Sequence, residues 1–301
     1  MLSRREFLAG ALLSGSALYS SGCSAESLAG TVQISAVNLP IPELPPPFEG
    51  YRIGFLSDIH LGVTMPNETV ERAVTLLNDA KIDMAVLGGD YIWIPRSYLS
   101  CSVAALLQCN FEGVSAADMV PSIFERVADL LSTIRAADGI FAVYGNHDRW
   151  EDPQRCRAEF VSRGATLLLN ESRTVSRGAA QLTVVGCDDY WTGSPTLAQV
   201  PPRAKNEIRI LVSHNPDYVS NLFSARRADF DVALCGHTHG GQVKLPLLGP
   251  IFCNILDRRL EEGLFEHSGR FVFTSRGIGT VELPLRVNCA PEVTVLTLRK
   301  A

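Results

Sequence analysis

Residues 236–239 read Gly-His-Thr-His, and they follow a short apolar run at residues 230–235. The run predicts a buried strand, which places His237 and His239 on the loop that leaves its carboxyl end. Neutral imidazole is the commonest protein ligand for transition metals, and a loop allows the two side chains to turn towards different ions. Taken alone, the stretch fits two histidines in a surface turn equally well.

Four further apolar runs end in the same kind of polar cluster. They occupy residues 53–57, 84–87, 140–144 and 208–213. The polar residues that follow them are Asp58 and His60, then Asp90, then Asn146, His147 and Asp148, and finally His214. Because ligands of an open α/β sheet bind outside the carboxyl ends of its strands, five such ends can place these side chains around one point. The sequence therefore predicts an α/β fold with a shared polar site at one edge.

These clusters, in this order, resemble the signature blocks of the calcineurin-like metallophosphoesterase superfamily. Three later stretches are similar to its exported YkuE/YaeI-like phosphodiesterase branch: Gly240-Gly241-Gln242, Ser275-Arg276-Gly277-Ile278-Gly279 and Pro291-Glu292-Val293. The resemblance implies a four-layer α-β-β-α sandwich of two mixed sheets, in a single domain over residues 31–301. Such a fold accommodates the short strands expected at residues 165–169, 174–176, 182–185, 270–274 and 293–298.

The resemblance also implies a centre of two metal ions. One ion would be held by Asp58, His60 and His239, the other by Asn146, His214 and His237, and Asp90 would bridge both. This donor set, which contains no cysteine, suits Mn, Fe or Zn and argues against a structural zinc site. Two such ions lower the pKa of a bridging water, so that hydroxide can attack a phosphoryl group at neutral pH. The implied activity is phosphodiester hydrolysis, and a metal-binding module without catalysis is the alternative.

His147 is implied to act on the reaction and not on the metals. It would protonate the leaving oxygen or stabilise the transition state. Asp148 would either orient His147 and raise its pKa or simply cap the following turn. Trp93 stands three residues after Asp90, where the purple acid phosphatases of the same superfamily have a tyrosine ligand, so that branch is disfavoured. His267, outside every block, is expected in a surface turn.

The first 22 residues predict a twin-arginine export signal. Ser3-Arg4-Arg5-Glu6-Phe7-Leu8 precedes an apolar run that is too short to span a membrane. Export by that machinery would place the protein in the periplasm or on the outer face of the cell membrane. Gly22-Cys23 resembles a lipoprotein acceptor, so a lipid anchor at Cys23 and cleavage without an anchor both remain open.

Charge and cysteine content limit the classes of partner. The formal net charge is −5 and the chain has no Lys/Arg-rich run, which disfavours a nucleic-acid polymer as substrate. The eight cysteines show no CxxC pair. Cys101 and Cys109 are the nearest candidates for a disulfide in an exported protein, whereas Cys235 and most others are expected to be buried thiols.

Two helices and one insertion are expected between the motifs. The periodicity predicts helices over residues 67–80, with Asn67 as N-cap, and 121–137, with Pro121 near the start. Between them, residues 92–118 form an apolar insertion that is either packed structurally or part of a lid. It offers side chains for an apolar groove or for contact with a membrane surface: Ile92, Trp93, Ile94, Leu99, Leu106 and Leu107. This favours an amphipathic phosphodiester or pyrophosphate, with lipid-linked ones included, and keeps a pyrophosphatase of an acylated nucleotide sugar (UDP-2,3-diacylglucosamine type) as the alternative activity.

Overall fold

A computed structural model describes residues 30–62, 65–95, 116–251 and 253–301. The predicted export signal, Cys23 and residues 96–115 of the predicted insertion lie outside these ranges. Export and lipidation therefore stay predictions.

The described chain contains five α-helices and sixteen strands. The strands are β1 (Gln33–Ile41), β2 (Arg52–Leu56), β3 (Leu61–Gly62), β4 (Met84–Leu87), β5 (Ile92–Trp93), β6 (Ile140–Ala142), β7 (Thr166–Leu167), β8 (Glu171–Arg177), β9 (Ala180–Gly186), β10 (Glu207–Val212), β11 (Val232–Cys235), β12 (Lys244–Leu245), β13 (Gly249–Pro250), β14 (Gly263–His267), β15 (Arg270–Thr274) and β16 (Glu292–Lys300). The helices are α1 (Asn67–Asp79), α2 (Ala116–Ser132), α3 (Asn146–Glu151), α4 (Pro153–Ser162) and α5 (Pro216–Ser224).

Two six-stranded mixed sheets form the centre of the molecule. The first has the order β1-β16-β2-β4-β6-β7, and the second has the order β14-β15-β11-β10-β9-β8. In the first sheet β16 runs antiparallel to β2 but parallel to β1. In the second, the parallel strands β9, β10, β11 and β15 are flanked by antiparallel β8 and β14.

The two sheets pack face to face, and helices cover their outer faces. Between the sheets, Phe55 of β2 meets Phe273 of β15 edge-to-face with ring centroids 6.4 Å apart, inside an apolar core drawn from both sheets. A second core joins the outer face of the first sheet to α1, α2 and α4, and a third joins the second sheet to α5. The predicted four-layer α-β-β-α sandwich is confirmed.

The two predicted helices are present: the first begins at Asn67 as predicted and ends at Asp79, whereas the second differs from the prediction at both ends. Pro66, not Asn67, is the N-cap of α1, because the backbone of Pro66 is extended (φ −70°, ψ 146°) and Asn67 is already the first helical residue. The second helix begins at Ala116, so Pro121 lies inside it, five residues after its start. It ends at Ser132, where Thr133 and Ile134 donate to carbonyls three residues back and close the last turn.

The described part of the predicted insertion is packed and not exposed. Ile92 and Trp93 form β5, which pairs with β3, and the side chains of Ile92, Trp93 and Ile94 are buried. They cannot line an open groove, so that part of the prediction was wrong. Leu99, Leu106 and Leu107 lie outside the described residues. No helix within the described ranges is long and apolar enough to cross a membrane.

The described cysteines are all free thiols. Cys156, Cys187, Cys235 and Cys289 are buried, as the apolar run around Cys235 predicted, and Cys253 is partly exposed. Cys101 and Cys109, the nearest candidates for a disulfide, lie outside the described ranges.

Candidate metal centre

Five strands end at one edge of the sandwich and deliver all the predicted ligands there. From the first sheet, β2 leads to Asp58 and His60, β4 to Asp90, and β6 to Asn146. From the second, β10 leads to His214, and β11 to His237 and His239. All seven side chains are buried. Because both sheets contribute, the site lies where their carboxyl edges meet, as expected for ligand sites of α/β sheets.

Asp58, His60 and His239 form the first group of donors. The Nε2 atoms of His60 and His239 lie 3.0 Å apart, and a carboxylate oxygen of Asp58 lies 3.5 Å from His239 Nε2. Ser57 Oγ donates to Asp58 at 2.6 Å, and the backbone N–H of His237 also donates to this carboxylate. These bonds fix the Asp58 carboxylate so that one oxygen faces the imidazoles.

Asp90, His214 and His237 form a second group, and Asn146 joins it. His237 Nδ1 lies 2.9 Å from Asn146 Oδ1. His214 Nδ1 lies 2.8 Å from the carbonyl of Gly88, to which it donates, so its Nε2 is the atom turned inward. A histidine that binds a metal through one ring nitrogen commonly donates a hydrogen bond from the other, because this bond fixes the tautomer and the ring orientation.

Asp90 faces both groups with a single oxygen. Its Oδ2 lies 3.5 Å from His60 Nε2 and 3.2 Å from His214 Nε2. Its other oxygen, Oδ1, accepts a hydrogen bond from the backbone N–H of His147 at 2.8 Å. The Asp90 carboxylate therefore lies between the two groups, where a ligand shared by both ions is expected.

Burial and the two carboxylates set the protonation of these groups. Burial lowers the pKa of His60 and His239 well below the usual range, and lowers that of His237 to about 3, so these rings are neutral as ligands must be. Burial alone would also lower the pKa of His214, but the facing Asp90 outweighs it and raises this pKa to about 10. Burial raises the pKa of Asp58 to about 6, although the charge of His214 acts in the opposite direction. The negative charge that holds a proton at His214 would equally hold a metal cation.

The donor set fits metal ions on structural grounds. Within the described residues, no Lys or Arg forms an ion pair with Asp58 or Asp90, although both carboxylates are buried. His237 Nε2 is buried without a hydrogen-bond partner. Buried charge without compensation is costly, and a cation among these donors would supply the compensation. The donor atoms of each group lie within 4.8 Å of one another, as binding to a common ion requires.

Five of the predicted ligands have a left-handed backbone. The φ values are 52° for Asp58, 50° for His60, 56° for Asp90, 71° for His237 and 52° for His239. They are five of the thirteen described non-glycine residues with positive φ. Each such residue costs about 1–2 kcal/mol, so the surrounding fold must stabilise this arrangement. Such backbone strain clusters at functional sites because it aims side chains that a regular strand end would direct elsewhere.

Two glycines allow the loops to approach one another closely. A Cβ at Gly145 would collide with the carboxylate of Asp90, and a Cβ at Gly236 would collide with Ser57 and Asp58. No rotation of a larger side chain relieves a clash at Cβ itself. The Gly in each of the two blocks is therefore needed for packing the ligand loops.

His147 and Asp148 lie in the first turn of α3 but in different surroundings. The His147 ring lies edge-to-face with the His60 ring, with centroids 4.9 Å apart, and it can also be grouped with His60 and Asp90 as a metal donor. Asp148 is buried, and its carboxylate accepts from the backbone N–H groups of Asp90, Tyr91 and Gly145, each at 2.8 Å. These bonds support the alternative in which Asp148 is a cap, and they extend that role to the loop that carries Asp90.

Two kinds of residue near the site were missed from the sequence. The guanidinium of Arg286 is buried and donates to the carbonyls of His239, Arg276, Gly279 and Cys289, so it holds the loop of His239 in place. Its partners are distant in sequence and no pattern indicates them. Trp150 and Trp191 touch His147 and His237. For Trp150 the sequence did contain a signal, because residues three positions apart in a helix, such as His147 and Trp150, lie on the same side of it.

His267, at the end of β14 beside the turn to β15, is exposed as predicted.

Comparison with known proteins identifies the family. A family model described as calcineurin-like phosphoesterase matches residues 51–241, which contain all seven predicted ligands. The chain belongs to the calcineurin-like phosphoesterase family. The phosphodiesterase YaeI of Escherichia coli (strain K12) is 32% identical over 252 residues, covering 82% of this chain and 82% of that protein. The uncharacterized metallophosphoesterase YkuE of Bacillus subtilis (strain 168) is 28% identical, covering 99% of this chain and 98% of that protein. As a member of the calcineurin-like phosphoesterase family, the protein is a metal-dependent hydrolase of phosphoesters.

Proposed function

We propose that this metallophosphoesterase is a phosphodiesterase with a dinuclear metal centre. Asp58, His60 and His239 would hold one ion, Asn146, His214 and His237 the other, and Asp90 both. The single observation that carries this proposal is the position of Asp90 Oδ2, which lies within 3.5 Å of an imidazole nitrogen from each group. A carboxylate that bound a single ion would be expected to face only one of the two groups.

Metal ions at this site would activate water and offset the negative charge that develops on the phosphoryl group. The chain supplies the other requirements. Its buried ligands would hold the ions, and His147 would donate a proton to the leaving oxygen. Anchoring of the His147 backbone to Asp90 Oδ1 supports this role, because the acid and the metal ligand are then held in constant relation.

The choice of a phosphodiester rests on similarity as well as on chemistry. The relative that is 32% identical to this chain bears the name phosphodiesterase. The donors are oxygen and nitrogen atoms only, which favours Mn, Fe or Zn over metals that prefer thiolate. We place the protein outside the cytoplasm, exported by the twin-arginine route, where its substrate would be an envelope phosphodiester.

The test compares phosphodiester and phosphomonoester turnover by one metal-loaded preparation. We expect hydrolysis of bis(4-nitrophenyl) phosphate in the presence of Mn²⁺, Fe²⁺ or Zn²⁺, little hydrolysis of 4-nitrophenyl phosphate, and none after chelation. Asp90→Asn should abolish the activity, whereas Glu266→Gln, at an exposed position on β14, should retain it. Full metal loading without turnover of any phosphoester would favour the non-catalytic module. Preferential cleavage of an acylated nucleotide-sugar pyrophosphate would favour the alternative activity.

A further inference from the structure

Two exposed tryptophans lie beside the metal centre. The chain has three tryptophans. Trp93 is 3% exposed, whereas Trp150 is 52% and Trp191 is 44% exposed. A tryptophan that only supports the fold would be buried like Trp93, because an exposed indole leaves a large apolar face in water. The exposure of both side chains therefore needs an explanation other than packing.

Trp150 is held against His147 by helix α3. The two residues are three positions apart, so they lie on the same side of the helix. Their rings meet edge-to-face, with centroids 5.0 Å apart and an angle of 77°. His147 in turn contacts His60, which connects the indole to the first donor group through one ring.

Trp191 is held against His237 by a turn after β9. Asp189 Oδ2 accepts hydrogen bonds from the backbone N–H groups of Trp191 and Thr192 and from the Thr192 hydroxyl. The indole meets the His237 ring edge-to-face, with centroids 4.2 Å apart and an angle of 85°. The turn thus presents the ring in a fixed position beside the second donor group.

An ion pair joins the two elements that carry the tryptophans. Arg149, next to Trp150 on α3, lies 3.2 Å from the carboxylate of Asp188, which belongs to the turn of Trp191. The other Asp188 oxygen accepts from the backbone N–H of Ser194 and closes that turn. The two elements that carry the indoles are therefore in direct contact with each other as well as with the histidines of the centre.

We propose that Trp150 and Trp191 form an aromatic subsite for a planar ring on the phosphodiester, namely the base of a nucleoside or an aryl group. The inference rests on the proposed phosphodiesterase function and specifies its substrate class. Stacking on an indole requires a π face and no particular hydrogen-bond pattern, so the subsite would accept different bases. The ring would lie against the exposed indole faces while the phosphoryl group reaches the donors beside His147 and His237.

The test compares two inhibitors that share a phosphate but differ in the ring. Adenosine 5′-monophosphate carries a base and glycerol 3-phosphate does not. With metal-loaded protein and bis(4-nitrophenyl) phosphate as substrate, Trp150→Ala and Trp191→Ala should each raise the inhibition constant of adenosine 5′-monophosphate about 5- to 100-fold, the effect of removing one stacking partner. The constant for glycerol 3-phosphate should stay within about twofold. Trp→Phe at either position should restore most of the affinity, because a stacking face returns.

Intrinsic fluorescence supplies a readout that needs no turnover. Adenosine 5′-monophosphate should quench the fluorescence of the wild type and of Trp93→Phe, but not that of the Trp150→Ala/Trp191→Ala double variant. Ring-dependent quenching without phosphodiester turnover would retain the subsite and overturn the proposed function. An equal loss of affinity for both inhibitors, or no loss for either, would overturn the subsite and assign the tryptophans to support of the histidines.

Discussion

Asn146 Oδ1 lies 2.9 Å from His237 Nδ1, although 91 residues separate them in the chain. One residue follows a strand of the first sheet and the other follows a strand of the second. The second donor group therefore forms only when the two sheets pack. Metal binding and the packing of the sandwich should depend on each other.

The role of Asn146 can be tested by metal content. Asn146→Ala removes the side-chain amide oxygen from the second group and leaves the first complete. We expect the metal content to fall from two ions per chain to about one after gel filtration, measured by elemental analysis. Asn221→Ala, on the exposed side of α5, serves as the matched control and should retain both ions. Loss of both ions from Asn146→Ala would contradict the division into two groups.

Metal removal should lower the melting temperature. The buried ligands bind metal only in the folded state, and a free metal concentration 100 times Kd adds about 2.7 kcal/mol to the free energy of unfolding. Thermal denaturation with and without Mn²⁺ measures this difference. Asp90→Ala should nearly abolish it, because one carboxylate faces both groups. A metal-induced shift of wild-type size in this variant would show that Asp90 is not a shared ligand.

Substitution of His147 should separate catalysis from metal binding. His147→Asn is expected to lower turnover about 10²- to 10⁴-fold, the usual contribution of a general acid, while two ions remain bound. His267→Asn, at an exposed strand end, should leave both quantities unchanged. A drop in metal content would instead place His147 among the ligands, a role that its grouping with His60 and Asp90 allows.

Asp148→Asn should lower stability as well as activity. The substitution replaces one acceptor oxygen by an amide NH₂, which would face a backbone N–H group. An unsatisfied buried donor costs about 1–3 kcal/mol, so the free energy of unfolding should fall by at least that much. Burial and the charge of Asp90 raise the pKa of Asp148 to about 8, so urea denaturation is best measured on metal-loaded protein, in which the Asp90 charge is compensated. Asp79→Asn, at the exposed end of α1, is the control. Unchanged stability would mean that the cap is dispensable.

The export route can be tested in cells. Arg4→Lys together with Arg5→Lys should retain the precursor in the cytoplasm, because that route requires the arginine pair. Fractionation followed by immunoblotting measures the distribution, and mass analysis at Cys23 decides between a lipid and simple cleavage. Normal export of the double variant would refute the route.

The ligands were predictable because each one follows an apolar run of strand length. The local pattern identifies such a strand end, and the chemistry of Asp, Asn and His indicates what the ends can bind. The left-handed backbone of His60 or His237 was not predictable, because it depends on contacts with other loops. The contact between Trp191 and His237 was not predictable for a related reason. The turn at Asp189 is local in sequence, but which loops lie beside this turn depends on the order of β9, β10 and β11 in the sheet.

Helix ends were less predictable than helix faces. The apolar side of α2 follows from periodicity, whereas its start at Ala116 contradicts the usual position of proline in the first turn. The pairing of β1 with β16 joins strands from opposite ends of the chain, and no local signal indicates such a partner.

That parallel pairing determines where the chain enters the domain. Gln33 lies opposite Glu292, whose N–H donates to Gly277, and Gly277 packs against Asp58. The first described strand therefore starts at the edge that carries the metal centre. About ten residues separate Gln33 from Cys23, and a chain of that length extends at most about 35 Å. With a lipid at Cys23, this segment would hold the start of β1 within that distance of the bilayer, on the same edge of the sandwich as the metal centre.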